Sequence, residues 1–305
     1  MTLILDIQPK QNLTIISFLA KFQTMKYFIN SMTSQAYWRY IFSLNGFKSI
    51  LAIFGMIWLI IETLDFFKVY TRNQYGSYAF FIFIIISILI SILLRRPIKS
   101  ISISFPEHDF GIDVRIDDLF NMTGATMIST NTLFEADVAG GKIAVDSLQG
   151  QFTAKYFTGN QIELIKNITN ELKSISTKPP YPMGTTVPIH THGKTFYFTA
   201  MAELGEGGNA SSSIDDIKNS LNGLWDFVRE NGELQEIAIP VIGTGRGRIK
   251  MTRKKMIVLI AESFVKASVN SKFSDRLIIT IRPADAENFG INLYDIKDHL
   301  MHVLK

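Results

Sequence analysis

The residues best suited to bind a small molecule stand in the segment PVIGTGRGRI (240–249), between an apolar run and a predicted helix. It supplies three glycines, a hydroxyl group and two guanidinium groups: Gly243, Gly245, Gly247, Thr244, Arg246 and Arg248. Glycines permit positive φ and bring the backbone close to a ligand. A loop from a strand into a helix directs free N–H groups toward an anion. The segment therefore predicts a diphosphate site. A tight structural turn is the alternative, because neither the Rossmann fingerprint nor a Walker A loop matches.

A second polar segment, STNTLFEADVAGGKIAVDSLQGQF (129–152), follows a predicted strand. Its candidate ligand-binding residues are Asn131, Gly140, Gly141, Lys142, Ser147 and Gln149. Ligands of α/β sheets bind at the carboxyl ends of strands, and Asn131 stands at such an end. The glycine pair precedes a predicted helix, and we expect its N–H groups to face a phosphate. Lys142 adds positive charge, or is simply a solvated surface lysine.

Asp117 and Asp118 end another predicted strand, IDVRID (112–117). A carboxylate at this position can accept a hydrogen bond from the exocyclic amine of a nucleobase. The alternative is a surface cap or turn, a role that Asp also favours.

Strands and helices alternate over the last two thirds of the chain, and the candidate segments each follow a strand. The predicted strands are 112–117, 123–130, 185–189, 194–204, 236–242 and 276–281. The predicted helices are 160–175, 213–230 and 252–269, and Ser213 is expected to cap the second. This order is typical of one α/β domain, residues 100–305, with helices around a sheet.

The first third has a different composition. Residues 1–99 carry ten basic and three acidic side chains, a net charge of +7, whereas the rest carries 21 basic and 24 acidic, a net charge of −3. Nucleic-acid binding requires a basic patch on the folded domain, so it is not expected. The chain has no cysteine, which excludes a disulfide scaffold, a Cys nucleophile and Cys-ligated zinc. With 47% hydrophobic and 19% charged residues, it is not a disordered chain.

Residues 46–97 contain two predicted transmembrane helices, at about 46–67 and 78–94. Both runs are apolar around the whole helix and near the length that a bilayer core requires. Two buried helices of a soluble core are the alternative. Glu62 and Asp65 close the first run, and we expect them to reach the interface rather than line a pathway.

The distribution of basic residues predicts the orientation of this hairpin. The outer ends carry most of the cations, whereas the connecting loop has only Lys68 and Arg72. The N-terminus and residues 100–305 are therefore expected on the cytoplasmic side of a cell inner membrane, with the chain multi-pass. Residues 1–45 form an amphipathic helical segment, expected to lie on the membrane, on neighbouring subunits or on its own soluble domain.

The motifs of the C-terminal region, in this order, resemble a macro domain over about 105–285. Macro domains are mixed sheets between helices that bind ADP-ribose. The resemblance implies that Asp117, or Asp118 in its place, approaches the adenine and that Asn131 lies near the terminal ribose. It also implies that Gly140, Gly141 and the glycine loop (243–247) hold the diphosphate. The usual N-A-A-N and glycine run is replaced by S-T-N-T, with the glycine pair several residues later.

Two spans ahead of such a domain, together with S-L-Q-G-Q-F and V-I-G-T-G-R-G-R, resemble the membrane-anchored macro-domain effectors of type II Thoeris anti-phage systems. In that family a TIR-domain enzyme makes an ADP-ribose signal from NAD, identified as histidine-ADP-ribose. The resemblance implies that the macro domain senses this nucleotide, that the membrane part then disrupts the envelope in abortive infection, and that the protein is a homo-oligomer. No cofactor beyond the ligand is implied. Arg246 and Arg248 suit either the diphosphate or an added carboxylate.

Two other functions fit parts of the sequence. A membrane-tethered ADP-ribosyl hydrolase would need a water positioned by Asn131 or an acid, yet no Ser-His-Asp, metal or paired-acid motif stands out. His190 and His192 are read as a solvated pair rather than metal ligands. A transporter or channel subunit is disfavoured because the second span contains no charged residue. A receptor-effector without catalytic turnover is the preferred interpretation.

Overall fold

The computed structural model describes residues 28–69, 76–204, 210–242 and 249–304. The glycine loop, Gly243–Arg248, lies outside the described residues, as do residues 1–27 of the predicted N-terminal segment. The chain divides into two compact units. The first, the hairpin unit, comprises Met1–Ile98 and Ala284–Asn292; the second, the sheet unit, comprises Lys99–Pro283 and Leu293–Lys305.

The hairpin unit contains a short helix and two long ones, α1 Gln35–Ile41, α2 Leu44–Phe66 and α3 Gly76–Leu94. Residues 28–33, just before α1, are helical as well. Ser34 and Ser43 cap α1 and α2, accepting from the N–H groups of Tyr37 and Gly46. Only glycine fits at position 46, because a Cβ would stand 1.9 Å from the carbonyl oxygen of Ile41. The glycine therefore allows the close approach of α1 and α2, which are separated by only two residues.

By length and composition, α2 is the one helix among the described residues that qualifies as a membrane span. Helix α3 contributes a shorter apolar run, Tyr78–Leu94. Only 6% of the apolar window of α2 is buried, so the helix of a soluble core is a poor description of it. Both helices expose large apolar side chains, including Leu59, Phe66, Ile85 and Leu93, as lipid-facing helices do.

The sheet unit contains seven strands in the order β1-β2-β8-β7-β3-β5-β4, with the two-residue β6 paired to β5. Their bounds are β1 Ser100–Phe105, β2 Phe110–Ile116, β3 Ala125–Asn131, β4 Thr186–Thr191, β5 Lys194–Leu204, β6 Ala210–Ser211, β7 Ile237–Pro240 and β8 Arg276–Ile281. The five central strands are parallel, and β1 and β4 are antiparallel edges. The continuous apolar run of β8 is typical of a parallel strand buried on both faces.

Helices cover both faces of this sheet. They are α4 Leu148–Tyr156, α5 Gln161–Leu172, α6 Ile214–Asn231, α7 Arg253–Asn270 and α9 Leu293–Val303. Between α7 and α9 the chain forms α8, Pro283–Asn288, nearly all of which belongs to the hairpin unit. On one face Phe152 of α4 packs its ring against Phe196 and Phe198 of β5. On the other face Trp225 of α6 packs against Phe264 of α7. Alternate residues of each strand thus enter two separate cores.

The predicted fold class is confirmed as a mixed α/β sheet between helices, preceded by an apolar hairpin. The three predicted helices and the capping role of Ser213 are also confirmed, and Asp216 completes a capping box there. Strand β1 was not predicted. One local expectation was wrong: the pair Gly140-Gly141 does not lead directly into a helix, because α4 begins only at Leu148.

Candidate functional site

The candidate residues come together at one edge of the sheet, because the parallel strands β2, β8, β7 and β3 all end there. Asp117 follows β2, Val241 follows β7, and Asn131 ends β3. The backbone confirms the alignment: the N–H of Asp117 donates to Ile281 of β8, and that of Val241 to Thr280. Three strand spacings separate β2 from β3, or about 14 Å. A ligand that contacts both ends must therefore be elongated.

Asp117 and Asp118 have different surroundings. Oδ1 of Asp117 accepts from the N–H of Asp118 (2.7 Å) and from Nδ2 of Asn121 (3.2 Å), whereas its Oδ2 accepts from none of the described residues. Asp118 caps the short 3₁₀ helix Leu119–Asn121 through a 3.0 Å bond from the N–H of Phe120. Of the pair, Asp117 is held in place with one oxygen to spare, and Asp118 has the capping role.

Asn131 organises the turn that follows β3. It is 4% exposed, and its Oδ1 accepts from the N–H groups of Leu133 (3.0 Å) and Glu135 (3.1 Å). The pairing of β3 with β5 shifts by one residue at this point, where Thr130 pairs with Ala200 and Asn131 with Ala202. The Nδ2 group donates to none of the described residues. A polar donor is thus available at the end of the strand.

The loop between β3 and α4 is ordered by two carboxylates that the sequence analysis did not single out. Oε1 of Glu135 accepts from the N–H groups of Ala136 and Asp137, both at 3.1 Å. Oδ1 of Asp137 accepts from the N–H of Gly140 at 2.7 Å and from Gln161 of α5 at 3.1 Å. The only hint in the sequence is the spacing of Asn, Glu and Asp ahead of small residues, a pattern typical of side chains that cap turns.

Both glycines of the predicted phosphate-binding pair have their N–H groups engaged within the loop. Gly140 donates to Asp137, and Gly141, with φ of 78°, donates to the carbonyl of Val138 at 3.1 Å. A Cβ at position 140 would stand 2.1 Å from Oδ2 of Asp137. A phosphate at the N–H of Gly140 would therefore have to displace this carboxylate.

Lys142 is paired rather than free, since its Nζ lies 2.9 Å from Oε2 of Glu135. Burial by itself would raise the pKa of Glu135. The hydrogen bonds that its carboxylate accepts from Lys142 and from two backbone N–H groups have the larger effect, so the pKa lies below its usual value. The hydrogen bond from Gly140, and then that from Gln161, lower the pKa of Asp137. The loop thus presents one cation and two carboxylates at neutral pH.

Ser147 and Gln149 support the site from inside. Ser147 is the N-cap of α4 and accepts from the N–H of Gly150 at 3.0 Å. Gln149 is 3% exposed; its Oε1 accepts from the hydroxyl group of Thr130 (3.2 Å), and its Nε2 donates to the carbonyl of Glu135 (2.9 Å). Gln149 therefore connects the end of β3 to the loop between β3 and α4.

Replacing Gln149 with Leu is expected to lower the free energy of unfolding by about 1–3 kcal/mol, because Thr130 and the carbonyl of Glu135 lose their buried partner. Chemical denaturation of the full chain measures the change. Gln151→Leu is the matched control: this side chain, two residues along the same helix, bonds only to the exposed carbonyl of Asp146. Equal losses in the two variants would refute the bridging role of Gln149.

The chain beyond β7 is strongly basic. Residues 246–255 hold six basic side chains and no acidic one, and the last three, Arg253, Lys254 and Lys255, form the first turn of α7. Cations at a helix N-terminus oppose the helix dipole. Helix α6 shows the usual arrangement, with Asp215 and Asp216 in its first turn. Lys254 pairs with Asp295 of α9 at 2.8 Å, so the positive charge at the start of α7 is partly offset.

The sheet unit is thus a mixed α/β domain with its candidate ligand-binding residues at the carboxyl ends of parallel strands, and in sequence it follows an apolar hairpin. Residues 112–282 match the family model described as Thoeris protein ThsA, Macro domain. This match covers more than half of the chain, which belongs to that family. Comparison with curated proteins gives no match.

Solved structures resemble the chain at low identity. The Oceanobacillus iheyensis macrodomain with MES bound has 12% identity and a TM-score of 0.47, covering 67% of this chain and 97% of its own. The same macrodomain with ADP has 11% identity, the same TM-score and the same coverage. The alphavirus protein P23pro-zbd has 13% identity and a TM-score of 0.38, covering 64% of this chain and 24% of its own.

Proposed function

We propose that the protein is a membrane receptor-effector of Thoeris defence that binds an ADP-ribose-derived nucleotide at the carboxyl edge of its sheet. The observation that carries the proposal is the separation of Asp117 and Asn131 by two intervening strands on one edge. A spare carboxylate oxygen suits the exocyclic amine of adenine. The amide group of Asn131 suits a ribose hydroxyl group at the far end.

The diphosphate would lie between these ends, beside the glycine loop that follows β7. Gly243, Gly245 and Gly247 supply N–H groups, and Arg246 or Arg248 supplies a guanidinium fork for the diphosphate or for the carboxylate of a histidine conjugate. The basic first turn of α7 adds positive charge next to this loop. The roles of these residues are proposals, as are those of the pair Gly140-Gly141 and of Lys142.

The membrane action belongs to the same proposal. Helices α2 and α3 form a hairpin with exposed apolar side chains, which we place in the inner membrane with the sheet unit in the cytoplasm. A TIR-domain enzyme would supply histidine-ADP-ribose, and binding would favour a homo-oligomeric state that disrupts the bilayer. The size of this shift is limited by the difference in ligand affinity between the two states.

Calorimetry on the full chain in detergent tests the proposal with NAD, ADP-ribose and histidine-ADP-ribose. Tight binding of the conjugate, with intact ligand recovered by chromatography, is the expected result. Release of free ADP-ribose would instead identify the hydrolase. Absence of binding to all three nucleotides would refute the nucleotide site.

Replacing Lys255 with Glu should stabilise the fold while weakening nucleotide binding. The N–H of Lys255 already donates to the N-cap Thr252, and a Glu here completes a capping box and complements the dipole, worth about 0.3–1 kcal/mol. The same change removes a cation next to the proposed diphosphate. Thermal unfolding and ligand titration measure the two effects.

Lys266→Glu in the second half of α7 is the charge-matched control. It should leave ligand affinity unchanged, because it lies three turns from the start of the helix. Equal losses of affinity in both variants would indicate a long-range charge effect and refute an anion site at the start of α7.

A further inference from the structure

Four basic residues belong to the helices and helix ends at one end of the helical hairpin: Arg39, Lys48, Arg95 and Arg96. The guanidinium group of Arg95 contacts both α1 and α2. It lies 4.8 Å from the ring centre of Tyr40, and its Nη2 donates to the carbonyl of Asn45 at 3.1 Å. Arg39 adjoins Tyr40, and Lys48 is one turn beyond Asn45. Arg95 therefore joins α1, α2 and the end of α3, and Arg39 and Lys48 are exposed around it.

Aromatic side chains stand beside these cations. Trp38, 40% exposed, stacks on Phe42, 61% exposed, with ring centres 6.1 Å apart. Tyr37 is buried, and its hydroxyl group donates to the carbonyl of Ile92 in the last turn of α3 at 3.2 Å. Tryptophan and tyrosine are enriched at the headgroup level of bilayers because their rings are apolar and carry a polar group. Helix α1 thus has the chemistry of an interfacial segment fixed to the hairpin.

The opposite end of the hairpin has the other sign of charge. Glu62 and Asp65 stand in the last two turns of α2, and Lys68 is the nearest described cation in sequence. Of the two ends of the α2–α3 hairpin, the one with the start of α2 and the end of α3 has the excess of basic residues. Its cations lie at the ends of the two apolar helices, where headgroup phosphates are found.

We propose that Arg39, Lys48, Arg95 and Arg96 form a binding surface for the phosphate groups of anionic phospholipids, with Trp38 and Phe42 inserted beside them. This inference rests on the proposed insertion of α2 and α3 in a membrane. It adds the lipid class that the protein selects, and it makes anionic lipid a partner that fixes the depth of the hairpin. Each basic residue near an anionic surface strengthens such binding about fivefold.

Quenching of Trp38 by brominated lipids tests this surface in the full chain. Trp58→Phe removes the other exposed tryptophan, and Trp225 is fully buried in the sheet unit. The protein is reconstituted in phosphatidylcholine that contains either brominated phosphatidylcholine or brominated phosphatidylglycerol. We expect stronger quenching by the glycerol lipid, and a loss of this preference by at least about fivefold in Arg39→Gln with Lys48→Gln.

Lys166→Gln with Lys178→Gln is the control, because it removes the same charge from exposed positions of the sheet unit. It should keep the preference. Equal quenching by both lipids in the parent would overturn the lipid inference while leaving membrane insertion intact. No quenching by either lipid would overturn the insertion itself. Abolition of the preference by inorganic phosphate, but not by chloride of equal ionic strength, would identify a free-phosphate site and also overturn the proposal.

Discussion

Replacing Asp117 with Asn is expected to weaken binding of an adenine nucleotide about ten- to hundredfold, the loss typical of a hydrogen bond to a charged group. The amide oxygen of the variant can still accept from Asp118 and Asn121, so the turn is kept. The other carboxylate oxygen of Asp117, Oδ2, is replaced by the NH₂ group of the asparagine side chain. This donor faces the exocyclic amine, which is also a donor. Titration of the full chain with ADP-ribose measures the change.

Two controls separate base recognition from a general loss of binding. Asp118→Asn keeps its cap to Phe120 and should bind normally. A hypoxanthine analogue of ADP-ribose has a carbonyl oxygen in place of the exocyclic amine, so the parent should bind it more weakly, whereas Asp117→Asn should lose or reverse this preference because its NH₂ group can donate to the carbonyl. If the variant keeps the full preference for adenine, Asp117 does not contact the base.

Replacing Ile85 with Arg should prevent stable membrane insertion of α3. Ile85 is 57% exposed at the middle of the helix, where a guanidinium group costs about 2.5–3.5 kcal/mol in a bilayer, in addition to the lost apolar side chain. We expect the variant to leave the carbonate-resistant membrane fraction and to lose toxicity when the signal is present. Nucleotide affinity should stay at the parent value, because the sheet unit is unchanged.

Leu93→Arg is the matched control for this experiment. Leu93 is 71% exposed but lies in the last turn of α3, two residues before Arg95, so the new charge can reach the headgroups. It should remain in the membrane fraction. Extraction of both variants to the same degree would point to misfolding, and retention of Ile85→Arg would place α3 outside the bilayer.

The sequence was sufficient for the elements that bury an apolar pattern. The runs that become β2, β7 and β8 and the amphipathic helix α6 were predicted from composition and spacing, because both are local properties. The positions of Asp117 and Asn131 followed from the same logic, since Asp117 directly follows a buried strand and Asn131 is the last residue of one. Strand β1, SISISF, was missed because its serines alternate with apolar residues on an edge strand.

The pairings inside the candidate site were beyond prediction. The sequence offered Lys142 either as a cation for a phosphate or as a solvated lysine, and in the structure it pairs with Glu135. The N–H of Gly140, expected to face a phosphate, donates to Asp137. These bonds depend on the φ and ψ angles of a long loop and on Gln161, which arrives from a different helix. No local pattern contains that information. The glycine loop, Gly243–Arg248, remains a prediction from sequence.

The order already present in the loop between β3 and α4 bears on how quickly a receptor can respond. Asn131, Glu135 and Asp137 hold the N–H groups of this loop through their own oxygens, so the entropy of arranging it is lost during folding rather than during capture. For that part of the site, related ligands would then have similar association rates and different dissociation rates. The protein would then distinguish its signal nucleotide from other cellular nucleotides by the dissociation rate of the complex rather than by the association rate.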